Sequence, residues 1–172
     1  MKQGRYTVEE NRPLTADVWE MRLSGDTGSI TRPGQFINIA LEGLFLRRPI
    51  SVSDWDGETA TIVYKIVGKG TAAMAGFRPG KRLDVLCGLG NGFEVAKCAE
   101  RTLVIGGGAG VPPMYGLAKA LLAAGKTPLA ILGFNRREEI FYEEKFRALG
   151  VETAVTTVDG SCGIRGFVTD AL

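Results

Sequence analysis

Histidine is absent from this chain of 172 residues, and cysteine occurs only three times. Without histidine there is no Ser-His or Cys-His pair to activate a nucleophile, and most zinc sites lose a preferred ligand. The three cysteines, Cys87, Cys98 and Cys162, form no Cys-x-x-Cys pair. An odd number of cysteines, outside a disulfide-rich framework, indicates free and partly buried thiols. The sequence therefore argues against hydrolytic and zinc-dependent chemistry.

Net charge and long apolar runs are also in short supply. The formal net charge is +2 and there is no block of five or more basic residues, so neither nucleic acid nor a membrane is predicted as a partner. Apolar runs such as residues 129–132 are far shorter than the ~20 residues of a membrane span. Residues 1–6 lack the apolar core of a signal peptide. We expect a cytoplasmic location.

The first part of the chain has the pattern of an antiparallel β domain. Apolar and polar residues alternate over residues 35–41 and 61–67, which is typical of half-buried strands. Turn residues such as Pro79-Gly80 separate the strands. Many short strands at this spacing indicate a sandwich or a small barrel over residues 1–98. A short helix is predicted over residues 71–77, with Thr71 as its N-cap.

From residue 99 to residue 172 the pattern changes to alternating strands and helices. Strands are predicted at residues 103–105, 128–134 and 151–156, and helices at 112–124 and 138–149. This order implies a parallel sheet with right-handed crossovers. The first strand is expected at an exposed edge, because the strands that a doubly wound sheet would place beyond it are missing. Residues 166–172 are predicted to begin another helix.

Arg47-Arg48-Pro49-Ile50-Ser51 is the first candidate site. A guanidinium can form charge-assisted bonds to a diphosphate, and a serine hydroxyl just beyond it can bond a flavin ring nitrogen. Val63-Tyr64-Lys65 and Gly68-Lys69-Gly70-Thr71 add weight, since a glycine-flanked threonine that opens a helix leaves backbone N–H groups free for phosphate. The alternative is a surface turn with two solvated arginines. The combination favours a flavin nucleotide site.

A glycine-rich turn from Gly106 to Pro113 is the second candidate site. Glycine allows close approach of a diphosphate, and the following helix start favours an anion. The spacing Gly108-x-Gly110-x-x-Pro113 departs from the usual dinucleotide fingerprint at its last residue, so a tight packing turn is the alternative. Arg136-Arg137 follows the second strand, where arginine can bind a 2′-phosphate, but adjacent glutamates also fit a solvated charge run. NAD and NADP both remain open.

Taken in order, these motifs resemble the ferredoxin–NADP reductase superfamily. Within it, the chain is most similar to the electron-transfer subunits of NAD-dependent dihydroorotate dehydrogenases. The resemblance covers nearly the whole chain and includes further segments: Leu89-Gly90-Asn91-Gly92-Phe93, Leu132-Gly133-Phe134, Phe141-Tyr142-Glu143-Glu144 and residues 159–170. It implies a β-barrel FAD-binding domain over residues 1–98, followed by an α/β nucleotide-binding domain with an incomplete doubly wound parallel sheet over residues 99–172.

The resemblance also implies ligands. FAD is assigned to Arg48, Pro49, Ile50, Ser51, Val63, Tyr64, Lys65, Gly70 and Thr71, and NAD to a site, expected to be incomplete, that includes Gly108, Gly110 and Pro113. No residue is assigned as a catalytic acid, base or metal ligand. The family's [2Fe-2S] cluster needs four cysteines in a C-terminal segment, and this chain has neither the segment nor the spacing.

The implied partner is the flavin-containing catalytic subunit that oxidises dihydroorotate to orotate in pyrimidine synthesis. Electrons would pass from that subunit to FAD and on to NAD. The alternatives are another reductase subunit of the same superfamily and a non-catalytic fragment that binds flavin without turnover.

Overall fold

The computed structural model describes residues 1–172 and separates the chain into two units, Met1–Phe93 and Glu94–Leu172. Each unit has its own sheet. None of the helices has both the length and the hydropathy that crossing a membrane requires.

Six antiparallel strands close into a barrel in the first unit. The strands are β1 (Lys2–Pro13), β2 (Val18–Ser24), β3 (Phe36–Ile39), β4 (Arg48–Trp55), β5 (Thr59–Lys65) and β6 (Arg82–Leu89), and helix α1 (Lys69–Ala75) lies between β5 and β6. Their order around the barrel is β1-β2-β5-β4-β3-β6, and β6 pairs with β1 to close it. Between the two architectures that the strand pattern allowed, the structure has the barrel.

The barrel interior is filled by the apolar residues of the alternating strands. Ile37, Ile39 and Ile62 are fully buried, and Tyr64 is 2% exposed. The Tyr64 hydroxyl donates to Asn11 Oδ1 at 2.9 Å, and the Asn11 amide donates to the carbonyl of Met74 at 2.9 Å. These bonds satisfy the polar atoms at this end of the core and join β1 and β5 to α1.

Helix α1 begins earlier than predicted, and Thr71 is not its N-cap. Gly68 takes the N-cap position with an extended backbone, and Thr71 is the third helical residue. The Thr71 hydroxyl folds back to accept hydrogen bonds from the backbone N–H groups of Val67, at 2.9 Å, and Gly68, at 3.3 Å. A threonine can satisfy these N–H groups from within the first turn as well as from the cap, so the residue type alone did not fix the helix start.

Four parallel strands form the sheet of the second unit, in the order β10-β9-β8-β7. The elements are β7 (Arg101–Gly107), α2 (Val111–Ala123), β8 (Thr127–Phe134), α3 (Glu143–Ala148), β9 (Glu152–Thr157) and the short β10 (Ile164–Arg165), with single 3-10 turns at Val95–Lys97, Gly108–Gly110, Arg137–Glu139 and Val168–Ala171. Strand β7 lies at the edge of the sheet, as predicted.

Two helical predictions for this unit are wrong in extent. The helix predicted over residues 138–149 is confined to α3, because Tyr142 immediately before it has a left-handed backbone with φ of 68°. Burial and edge-to-face contacts of the Tyr142 ring with Tyr115 and Phe141 hold this uncommon conformation. Residues 166–172 contain the 3-10 turn Val168–Ala171 in place of an α-helix.

Arg47 ties three barrel strands together at the entry to β4. Its guanidinium forms an ion pair with Asp84 of β6 at 2.7 Å and donates to the carbonyls of Asn38 at 3.3 Å and Asp84 at 3.2 Å. The Arg47 bond, with a second one from Gln3, holds the pKa of the Asp84 carboxyl below its ordinary value of 3.8. Arg47 thus has a structural role.

We expect Arg47→Ala to lower the free energy of unfolding by about 1 kcal/mol at neutral pH, because three hydrogen bonds to a half-exposed site are lost. The folded-state pKa of Asp84 is depressed, so its stabilisation is present above the unfolded-state pKa and is lost as the pH falls through the folded-state pKa. The difference between wild type and variant should therefore shrink in urea unfolding as the pH is lowered from about 7 to about 3. Arg22→Ala, which removes an exposed pair with Glu9, is the control and should change stability little; equal losses in both variants would contradict this role for Arg47.

Candidate functional site

Strands β4 and β5 pair over only part of their length. Their pairing runs from Trp55 opposite Ala60, next to the connecting turn, to Val52 opposite Ile62, and it ends at that second pair. On one side of the resulting gap, residues 48–51 of β4 pair only with β3. On the other side, residues 63–65 of β5 pair only with β2. The structure therefore brings two of the sequence-predicted segments to the two edges of one opening in the barrel wall.

Pro49 helps to keep this opening free of a strand partner. Proline has no backbone N–H and is confined to sheet edges, and here it is exposed and pairs with Asn38 of β3 alone. Ile50 points to the core, against which it is partly buried. Ser51 is half-buried, and its hydroxyl makes no hydrogen bond within the chain. A hydrogen-bonding side chain thus remains available at the edge of the opening.

Arg48 lies against the first turn of α1. Its guanidinium occupies the space that a Cβ on Gly70 would fill. The guanidinium donates to the carbonyl of Leu46 at 2.5 Å and forms no ion pair. The backbone N–H groups that open a helix carry partial positive charge, as does a guanidinium. Two positive groups in contact favour an anion beside them, and a diphosphate has this chemistry.

The side chains of four other predicted residues are buried or bonded within the protein. The Tyr64 side chain is buried in the barrel core, and burial raises the pKa of its phenol to about 12. Lys65 forms an ion pair with Asp17 at 3.1 Å, and Val63 is buried. The Thr71 hydroxyl is engaged with the Val67 and Gly68 backbone. The main chain of β5 at residues 63–65 is what faces the opening.

The glycine-rich turn joins β7 to α2 through the 3-10 turn Gly108–Gly110. Gly108 has a φ of +48°, which favours glycine. Pro112 and Pro113 lie in the first turn of α2 and have no N–H groups. The first turn of α2 therefore offers fewer N–H groups to a phosphate than the sequence analysis expected. The backbone donors of this turn belong to residues 108–110.

Two of the other glycines of the turn, Gly106 and Gly110, have opposite environments. A Cβ on Gly106 would lie 2.8 Å from the carbonyl oxygen of Gly110 and 2.9 Å from Val111 Cα, so glycine is required for the strand and helix to pack. At Gly110 a Cβ would meet nothing within 4 Å, and the backbone is right-handed with φ of −82°. Neither packing nor conformation explains glycine at Gly110. The space that it leaves is consistent with close approach of a ligand.

A cleft of about 230 Å³ opens beside this turn at the carboxyl ends of the strands. Residues from all three longer strands line it, including Gly107, Gly133 and Thr156, and the C-terminal segment contributes Phe167 and Val168. The carboxyl edge is where open α/β sheets bind ligands. The Thr156 hydroxyl is buried without a hydrogen-bond partner. Sequence reasoning missed Thr156 and Val168, since a threonine inside a strand and a valine near the end of the chain carry no motif.

No cluster of three or more histidine, cysteine or acidic residues that could hold a metal ion occurs in the structure. Cys87 is fully buried in the barrel, and Cys98 and Cys162 are half-buried in the second unit. An iron–sulfur cluster is held by cysteine thiolates from one neighbourhood. The residues present do not fit such a cluster.

Comparison with known proteins shows similarity to one family of sequences and to one fold. No family model matches the chain. Relatives called "Dihydroorotate dehydrogenase B (NAD(+)), electron transfer subunit" are 46% identical in Fusobacterium nucleatum, 41% in Geobacillus sp. and 42% in Bacillus pumilus. Each alignment covers the whole chain and, respectively, 69%, 70% and 69% of the relative.

Solved structures share the fold. An NADH-dependent reduced ferredoxin-NADP oxidoreductase studied for flavin-based electron bifurcation has a TM-score of 0.85 and 30% identity over 96% of this chain and 61% of its own. A ferredoxin NADP+ reductase from Neisseria gonorrhoeae with bound FAD and NADP has a TM-score of 0.83, with 96% and 73% coverage. At 17% identity the second likeness supports the fold alone. The barrel followed by the parallel sheet is thus the architecture of ferredoxin–NADP reductases.

Gly110→Ala should leave the fold intact and weaken dinucleotide binding. The added methyl group meets open space, so the free energy of unfolding should change by less than about 0.5 kcal/mol. A diphosphate on the turn would lose its close approach, and we expect the Kd for NADH to rise about tenfold in calorimetric titration.

Gly106→Ala is the matched comparison. Its methyl group would overlap the backbone of residues 110–111, so thermal unfolding should show a loss of about 2 kcal/mol. Unchanged NADH affinity in a well-folded Gly110→Ala protein would refute the role assigned to the turn.

Proposed function

The chain belongs to the family of electron transfer subunits of dihydroorotate dehydrogenase B (NAD(+)), and we propose that it binds FAD at its barrel and a nicotinamide dinucleotide at its α/β unit, passing electrons between them. The family consists of oxidoreductase subunits, and the fold is that of FAD- and NAD(P)-binding reductases.

The separation of β4 from β5 is the observation that supports a flavin site in the barrel. The opening presents unpaired strand edges at residues 48–51 and 63–65, which supply backbone donors and acceptors for a polar planar ring system. The free Ser51 hydroxyl adds a side chain there. Arg48, held against Gly70, supplies positive charge for a diphosphate. The ring system and the diphosphate of FAD would thus both find binding groups within the barrel unit.

The glycine-rich turn carries the dinucleotide half. Residues 108–110 offer backbone N–H groups to a diphosphate, and the open space at Gly110 allows it to approach. The adjoining cleft lies at the carboxyl edge of a parallel sheet, where nucleotides bind in this class of fold.

Hydride exchange between the two ligands asks little of the protein's own side chains. When bound, FAD supplies the redox chemistry, and the protein contributes binding, orientation and charge. The chain has no histidine, and the buried Tyr64 phenol is protonated at neutral pH because burial raises its pKa to about 12. Neither fact opposes the proposal, since no general base or protein nucleophile is required.

We assign no iron–sulfur step to these residues, because the three cysteines do not form a ligand set. The partner that we propose is a catalytic subunit that oxidises dihydroorotate, which follows from the name that the relatives carry. The electrons that this subunit releases would be delivered to NAD.

Removing the two side chains at the opening should weaken FAD binding without unfolding the barrel. Arg48→Ala loses charge-assisted bonds worth about 2–3 kcal/mol, so we expect the Kd for FAD to rise about 30- to 150-fold. Ser51→Ala loses one neutral bond and should raise it about fivefold. Flavin fluorescence during dialysis measures both. Arg22→Ala is the control; pigment retention equal to wild type in the Arg48 and Ser51 variants would overturn the flavin site.

The partner assignment is tested by co-expression with the dihydroorotate dehydrogenase catalytic subunit of the same organism. We expect a stable complex on size-exclusion chromatography that reduces NAD in the presence of dihydroorotate, whereas the chain alone shows no dihydroorotate oxidation. A chain that binds FAD and reduces ferredoxin from NADH, but forms no complex with that subunit, would favour another reductase role.

A further inference from the structure

The barrel unit has a second groove, apart from the opening between β4 and β5. Its volume is about 380 Å³, which is within the range of small-molecule sites. Helix α1 borders it with Ala73, the turn after α1 with Phe77, and strands β1 and β6 with Arg5 and Arg82. None of the residues assigned to FAD or to the dinucleotide lines it. We call it the basic groove.

Three cations line the basic groove without an anionic partner in the protein. The side chains of Arg5, Lys81 and Arg82 are exposed, and they form no ion pair or hydrogen bond within the chain. The Lys81 ammonium lies 5.7 Å from the centre of the Phe77 ring. This contact holds the ammonium beside the groove, but an aromatic ring does not neutralise its charge.

The strand register brings the two arginines together. In the pairing of β1 with β6, Arg5 lies opposite Asp84 and Thr7 opposite Arg82, so the arginines are diagonal neighbours on the outward face of the barrel. The Asp84 carboxylate beside them is already paired with Arg47 at 2.7 Å. Like charges at this spacing repel each other. A dianion between the two guanidinium groups would relieve the repulsion and accept charge-assisted bonds from both.

The remaining lining is mostly apolar. Phe77 is partly buried against the barrel core, and Ala73 is exposed on the neighbouring surface of α1. Glu42 is the only carboxylate of the lining that forms no ion pair, so the unpaired charges of the groove sum to a positive value. The apolar residues of the lining are Ala40, Leu41, Ala73, Phe77 and Leu83. Cations beside an apolar wall suit an anionic group carried on a flat organic body.

We propose that the basic groove binds a nucleoside monophosphate. The phosphate lies between Arg5 and Arg82, whose guanidinium forks match the geometry of phosphate oxygens, and Lys81 adds a third positive charge. The base lies along Ala73 and Phe77, where it covers apolar surface. The groove belongs to neither ligand site of the proposed function, so this inference stands independently of that function.

The test is calorimetric titration of the FAD-loaded protein with AMP and with UMP. Saturating NAD+ is present, so that the dinucleotide cleft is filled. Inorganic phosphate and uridine are titrated as the two halves of the ligand. We expect at least one of the two nucleotides to bind about tenfold more tightly than either half, because only the whole molecule reaches both the arginines and the apolar wall.

Three variants locate the binding. Arg5→Ala and Arg82→Ala should each weaken the nucleotide about tenfold, because each removes charge-assisted bonds to the phosphate. Glu42→Gln removes the unpaired negative charge and should tighten binding about threefold, a gain that partial unfolding does not produce. Arg22→Ala, which removes an exposed arginine of the same barrel that is paired with Glu9, is the matched control and should leave the affinity unchanged.

Several results would overturn the proposal. Inorganic phosphate that binds as tightly as the nucleotides would indicate a surface counter-ion only. Nucleotide binding that disappears when NAD+ is added would belong to the dinucleotide cleft, and unchanged affinity in both the Arg5 and Arg82 variants would place the ligand elsewhere. Absence of nucleotide binding from a protein that retains FAD would remove the groove and leave the flavin site standing. A protein that binds the nucleotide but retains no FAD would instead count against the proposed function.

Discussion

The structure depends on the point at which two neighbouring barrel strands stop pairing. Beyond the pair Val52–Ile62, β4 and β5 separate. There β4 pairs only with β3, and β5 pairs only with β2. A closed barrel normally satisfies every backbone group, so a local parting leaves donors and acceptors that a ligand can use. Pro49 lowers the free-energy cost of this separation, because it has no backbone N–H that would be left without a partner.

In the second unit, too, a local feature of the backbone leaves room for a ligand. Its sheet is built from parallel strands whose carboxyl ends form one edge. In the glycine-rich turn at that edge, Gly106 is required for packing, whereas the space beside Gly110 is empty. One glycine lets α2 lie close to β7, and the other leaves room that no side chain of the protein uses. Binding and folding thus draw on different residues within four positions of the sequence.

Charge is divided among the arginines in a way that composition does not show. Arg47 and Arg48 are adjacent, yet the first pairs with Asp84 inside the barrel framework, whereas the second lies against Gly70 without an ion pair. Arg136 and Arg137 are adjacent too, and both are engaged by the loops around them.

The sequence by itself determined the two kinds of domain, because period-two and helical apolar patterns follow directly from backbone geometry. It also placed the edge strand, the glycine-rich turn and the arginine-proline-serine segment in the correct elements. The resemblance correctly implied a barrel where the strand pattern alone left a sandwich open, but nothing in the sequence indicated that the Tyr64 hydroxyl bonds to Asn11 or that Tyr142 delays the start of the predicted helix. Only the tertiary structure decided these points, since they depend on partners distant in the chain. The Tyr64 hydroxyl donates to Asn11, the Arg48 guanidinium lies against Gly70, and Arg137 donates to Ser161. No local sequence pattern encodes such long-range contacts.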